Sequence, residues 1–157
     1  MQSLIMQRTS PLCWMLMPVF TERIRQFDRT YCLDGNASNI ASMFETAFAT
    51  GDQRMLGILL VEPNDALPKV VGHIICGVDI HHGVPHCVIY QYEKDLKDED
   101  MQATNDAVQL AVDTWALSLG QNEVMALATS DSRAKHFGRW GYEYASTLVT
   151  RRIGDGR

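Results

Sequence analysis

The sequence is short of several things, and each shortage closes a class of function. No apolar run reaches the roughly 20 residues that a membrane-spanning helix needs. The longest, Leu12 to Phe20, is interrupted by Pro18 and reads as a buried helix face. The start carries only Arg8 as a basic residue and has no small-residue cleavage site, so it does not make a signal peptide. Positive charge is also in deficit. Lys and Arg total 14 against 19 Asp and Glu, for a net charge of -5, with local basic groups only at Arg133, Lys135, Arg139 and at Arg151, Arg152. A nucleic-acid partner is therefore disfavoured. None of the four cysteines stands in a C-x-x-C pair, which excludes zinc-ribbon and thioredoxin patterns. Cys76 and Cys87 lie in apolar segments and read as buried thiols in a reducing, cytosolic setting. There is no P-loop, no G-x-S-x-G and no dinucleotide G-x-G-x-x-G, and no glycine at all between Gly83 and Gly120.

What remains is the composition of a soluble globular chain, 46% hydrophobic and 21% charged, with residues 1 to 157 expected to form a single domain. Residues 3 to 8 suit a first strand. Ser10-Pro11 opens a helix expected to reach about Phe27, with Pro18 kinking or breaking it. After the turn signal Asp34-Gly35-Asn36, residues Ser38 to Thr50 place Ile40, Met43, Phe44, Ala47 and Phe48 on one helical face, and Gly51 ends the helix. Met55–Val61, Val70–Ile80 and His86–Tyr92 read as an antiparallel meander, the last two joined at Gly83-Val84-Pro85. A third helix carries the stripe Ala107, Val108, Ala111, Val112, Trp115 and Leu119 and stops at Gly120. Val124–Ala128 is a short buried strand, Ser130-Asp131-Ser132 caps a fourth helix ending near Gly141, and Tyr142–Ile153 is a last strand. The helix between Val88 and Val124 has the length that a parallel crossover requires. The fold class is α/β, with a mixed sheet of about six strands flanked by about four helices.

This order of elements resembles that of the GNAT acetyltransferases. The most specific local likeness is the run Ser130 to Tyr144, SDSRAKHFGRWGYEY. The family often carries N-x-x-A-x-x-x-Y-x-x-x-G-F there. Ser130, Arg133, Phe137 and Gly141-Tyr142 occupy the matching positions. The short C-terminal helix and strand, with no glycine-rich loop upstream, are also similar to a small GNAT-like internal virion protein of T7-like phages.

The resemblance implies an acyl transfer from acetyl-CoA to an amine, in a V-shaped opening between the fourth and fifth strands. It implies that the pantetheine arm pairs with main chain at Val88 to Tyr92, including Ile89, Tyr90 and Gln91. The pyrophosphate would rest on the start of the third helix, at Gln102, Ala103 and Thr104. In the family that loop is R/Q-x-x-G-x-G/A, because glycines allow close approach and helix-start amides attract anions. Here Gln102 and Thr104 replace the glycines, Glu99 replaces the basic or amide residue, and Glu93, Asp95, Asp98, Glu99 and Asp100 crowd the approach. Those acids suit the dipole of the helix start better than they suit a phosphate. Phe137 stands at the family's tyrosine acid, with Tyr142 and Tyr144 as nearby substitutes, and Glu93 is the candidate base.

His73, His81, His82 and His86 were the remaining cluster. Their spacing fits no zinc motif and reads as a polar hairpin, with no metal expected. The resulting expectation is a phage-encoded GNAT-fold protein with a degraded acetyl-CoA site and a structural or interaction role, in the host cytoplasm or the virion. It would associate with a protein partner or with itself. The alternative is an active N-acetyltransferase with a divergent pyrophosphate loop.

Overall fold

The computed structural model describes residues 1–31, 39–95, 102–128, 131–139 and 141–143. The elements are β1 (Gln2–Ile5), α1 (Pro11–Tyr31), α2 (Ile40–Thr50), β2 (Met55–Glu62), β3 (Lys69–His81), β4 (Val84–Lys94), α3 (Gln102–Ser118), β5 (Val124–Ala126) and α4 (Asp131–Gly138). The expected order is thus present through α4. The sheet has five strands in the order β1-β2-β3-β4-β5. The first four are antiparallel to their neighbours, and β5 lies parallel to β4. A parallel pair cannot be joined by a tight turn, and α3 supplies the crossover. The expected sixth strand lies, from Tyr144 onward, outside the described residues, as do the turn Asp34-Gly35-Asn36 and the acids Asp98, Glu99 and Asp100.

The sheet is apolar on both faces because helices cover both. Strand β2 is buried along nearly its whole length, as a central two-faced strand must be. On one face α1 and α2 contribute Cys13, Leu16, Phe20, Ile24, Phe44 and Phe48. On the other, α3 and α4 contribute Val108, Val112, Trp115, Ala116 and Phe137. Cys76 and Cys87 are fully buried in this second core, and burial pushes the Cys76 thiol pKa up.

Three local expectations are corrected. Helix α1 is not broken at Pro18 and does not stop near Phe27: it continues to Tyr31. Pro18 is exposed, so the Trp14 carbonyl it leaves without an amide partner lies on the solvent side of the helix. The β3–β4 turn is His82-Gly83 rather than Gly83-Val84-Pro85; both residues have positive φ, 51° and 78°, the geometry of a two-residue type I′ hairpin. Tyr142 does not open a strand. Gly141 has φ 84°, and the Tyr142 N–H bonds back to the Phe137 carbonyl at 3.2 Å. Gly141-Tyr142 therefore forms the left-handed stop of α4.

Candidate functional site

The pairing of β4 with β5 is short. Cys87, Val88 and Ile89 lie opposite Val124, Met125 and Ala126, and the last contact is the Leu127 N–H to the Ile89 carbonyl at 3.0 Å. Beyond it β4 continues to Lys94 paired with β3 but not with β5. The parting coincides with a bulge. Cys76 faces Ile89 and Ile75 faces Gln91, so Tyr90 has no opposite residue. An extra residue bends and twists its strand locally, and such bulges occur often beside active sites. Tyr90 lies over Gly77, where a Cβ would come within 2.5 Å of its ring. One consequence is that Tyr90 and Gln91 both turn toward the α1 face, while Ile89 and Tyr92 face α3.

Arg133 of α4 crosses this gap. Its guanidinium donates to the Tyr92 main-chain carbonyl and to the Tyr31 hydroxyl at 3.1 Å, and it lies 4.0 Å from the Glu93 carboxylate. It also stacks over the rings of Phe27 and Tyr31, at 5.0 and 4.8 Å. The side chain is only 25% exposed. Beside it, Arg23 of α1 grips Asp95 with two bonds of 2.7 and 3.0 Å. Of the acids expected at the start of α3, Glu93 and Asp95 are instead matched with arginines of α4 and α1. No acid stands in the first turn of α3.

Beneath the gap runs a buried polar chain. Gln91 donates from Nε2 to the Asp28 carboxylate at 2.8 Å. Its Oε1 lies 2.8 Å from His73 Nε2. All three side chains are buried. Since Gln91 Oε1 can only accept, His73 Nε2 carries the proton, leaving Nδ1 buried without a hydrogen bond. Burial lowers the His73 pKa to about 4, so the ring is neutral at pH 7. It lies roughly perpendicular to the rings of Phe20 and Phe27, at 6.3 and 6.0 Å.

No protein-family model and no curated protein matches the sequence, but solved structures match it over nearly its full length. One is a probable acetyltransferase, 9% identical, with 99% of both chains covered and a TM-score of 0.64. A GCN5-related N-acetyltransferase from Ralstonia eutropha is 12% identical over 98% of this chain and 99% of its own, TM-score 0.65. A predicted acetyltransferase from Clostridium acetobutylicum, solved with acetyl-CoA, is 7% identical over 96% and 95%, TM-score 0.66. The fold is that of the GNAT acyltransferases.

Within this GNAT fold the expected site residues divide. Tyr92 donates its hydroxyl to Asn105 Oδ1 at 2.9 Å, which ties the far end of β4 to the first turn of α3. The two expected cofactor segments therefore do lie at the same end of the sheet. Within them, the Ile89 carbonyl is engaged by β5 and the Gln91 side chain is enclosed in the buried chain. Gln102 is exposed and bonded to Asp106, Ala103 is exposed and Thr104 is buried. Glu93 reaches the gap. Tyr142 does not: it packs on Phe137 at 5.4 Å in the α3 core, beside Gln109, and burial raises its pKa to about 12. Tyr144 lies outside the described residues. The histidines separate too, with His73 in the core and His82 in the hairpin turn. A cavity of about 460 Å³ lies at the other end of the sheet, near Arg8, Phe44, Phe48 and Met55.

Sequence reasoning missed the buried chain and the position of Arg133. A signal for the second was present, because Arg133 stands where the family pattern has alanine.

Proposed function

We propose that this chain is a GNAT-fold protein whose cofactor gap is closed by its own Arg133 and which acts by binding another protein rather than by acyl transfer. The observation that carries this is the α4 guanidinium lodged between the end of β4 and α1. It occupies the Tyr92 carbonyl, one of the main-chain groups a pantetheine arm would need, donates also to the Tyr31 hydroxyl and lies within ion-pair distance of Glu93. The first turn of α3 adds support. Neither Gln102 nor Thr104 offers the glycine backbone that close approach of a pyrophosphate needs, and the sequence leading into that turn is acidic. The residues present thus fit acetyl-CoA poorly. A phage origin, with the virion or host cytoplasm as the location, belongs to the same proposal and rests on the sequence resemblance. No described helix is long and apolar enough to cross a membrane.

The test is calorimetry and thermal shift with millimolar acetyl-CoA. A ligand at about 100 times its Kd adds about 2.7 kcal/mol to stability, so an unmoved melting point at that concentration is informative. We expect no heat and no shift, and a clear rise in melting temperature would overturn the proposal.

One observation favours the enzymatic alternative. The β4 bulge opens a gap with Glu93 inside it, in a fold that a neighbour of known structure uses to hold acetyl-CoA. On that reading Glu93 takes a proton from the acceptor amine once Arg133 has swung away. Release of free thiol from acetyl-CoA in the presence of polyamine or peptide amines, abolished by Glu93→Gln, would establish it.

A further inference from the structure

Helix α3 carries a second amphipathic pattern on the side away from the sheet. Its inner face is accounted for by Val108, Val112, Trp115 and Ala116, all buried. On its outer face Ala103, Ala107, Leu110, Thr114 and Leu117 follow one another at intervals of four, three, four and three residues. At 3.6 residues per turn these five fall within a band of about 80° and extend for about 21 Å. All are exposed, Leu110 by 68% and Leu117 by 66%. A solvated helix face has no need of that spacing. It is the seam by which one helix packs against another.

The edge of the seam has a definite charge. Asp106 and Asp113 sit one heptad apart, in the position that flanks the seam and selects partners in paired helices. Each is steadied from the preceding turn, by Gln102 and Gln109 respectively, through amide bonds of 2.7 Å to Oδ1. Both aspartates are exposed. No Lys or Arg occurs anywhere in α3.

We propose that the outer face of α3 docks a basic amphipathic helix of another protein. Apolar side chains of that helix would cover Leu110 and Leu117, and its Lys or Arg residues would meet Asp106 and Asp113. A second copy of this chain fits less well. Antiparallel pairing of two α3 helices sets Asp flank against Asp flank, and parallel pairing sets it against uncharged residues, so neither arrangement gains ionic complement. The inference names the partner class for the interaction role proposed above. It is tested on α3 alone, so its failure leaves the closed gap untouched, and acetyl-CoA binding would leave this test unaffected.

The experiment uses the full chain and two synthetic three-heptad peptides. Both have Leu at the seam; one has Lys at the flanks and the other Glu. Titration by fluorescence anisotropy at low salt should give binding of the Lys peptide tighter than the Glu peptide by about tenfold or more, weakening as salt rises. Asp106→Lys with Asp113→Lys should reverse the preference. Leu110→Ser with Leu117→Ser should abolish binding while the circular dichroism of the chain is unchanged. Equal binding of the two peptides, no binding of either, or binding that survives the serine variants would overturn the proposal. So would a dimer by analytical ultracentrifugation that the serine variants dissociate, since it would assign the face to self-association.

Discussion

The two halves of β4 are built on opposite terms. From Cys87 to Ile89 the strand is apolar, fully buried and zipped to β5. From Gln91 to Lys94 it has lost that neighbour, and polar groups fill the space: the Asp28–Gln91–His73 chain on one side and Arg133 with Glu93 on the other. The first half is held by packing, which is insensitive to pH. The second is held by hydrogen bonds among buried groups, each of which is costly if its partner is removed. Where the pairing with β5 ends, the protein's own side chains take over the contacts of β4.

Substitutions in the two halves should therefore have different consequences. The largest effect is expected from Ile89→Ala, which opens a cavity in a closed core and should cost about 4 kcal/mol, read as a lower urea midpoint at every pH. The next is acid lability of the polar half. Because burial lowers the folded pKa of His73 from 6.5 to about 4, the unfolded chain takes up a proton that the folded chain refuses. The stabilisation is complete above 6.5 and is lost as pH falls toward about 4, by up to about 3 kcal/mol. His73→Leu should flatten that slope in urea titrations from pH 7 to 4, and an unchanged slope would count against His73 as its source. Gln91→Leu removes the middle of the chain and leaves Asp28 and His73 without it, for about 2 kcal/mol.

Smaller effects belong to the rim. Arg133→Ala should cost about 1 kcal/mol, since the residue is partly solvated, and should speed deuterium exchange in the last residues of β4 while leaving Cys87–Ile89 protected. The Arg29–Glu22 pair, exposed at both ends, marks the floor: Arg29→Ala should change stability by less than about 0.5 kcal/mol.

Much of the architecture was legible because hydrophobic periodicity is local information. The apolar runs of β3 and β4, the stripe of α3 and the stops at Gly51 and Gly120 each lie within a few residues of the element they define. Where reading failed, one local pattern fitted two structures. Gly141-Tyr142 is equally good as the opening of a strand and as the end of a helix. Gly83 was correctly placed in a turn, but its partner there proved to be the preceding His82 and not Val84. The site was harder still. His73 and Gln91 alternate with apolar neighbours in the way solvent-facing strand residues do. Their burial follows from α1 lying over them, and Asp28 is 63 residues from Gln91 in the chain.

The amino-acid order by itself determined the succession of helices and strands, the crossover that sets β5 beside β4, and the absence of glycines from the start of α3, because each depends on near neighbours and backbone geometry. Only the tertiary structure decided that the gap beyond Ile89 is filled. Arg133 reaches Tyr92, Tyr31 and Glu93 across separations of 41, 102 and 40 residues, and a charge can be held there only once three elements have enclosed it and supplied the bonds that water would otherwise make.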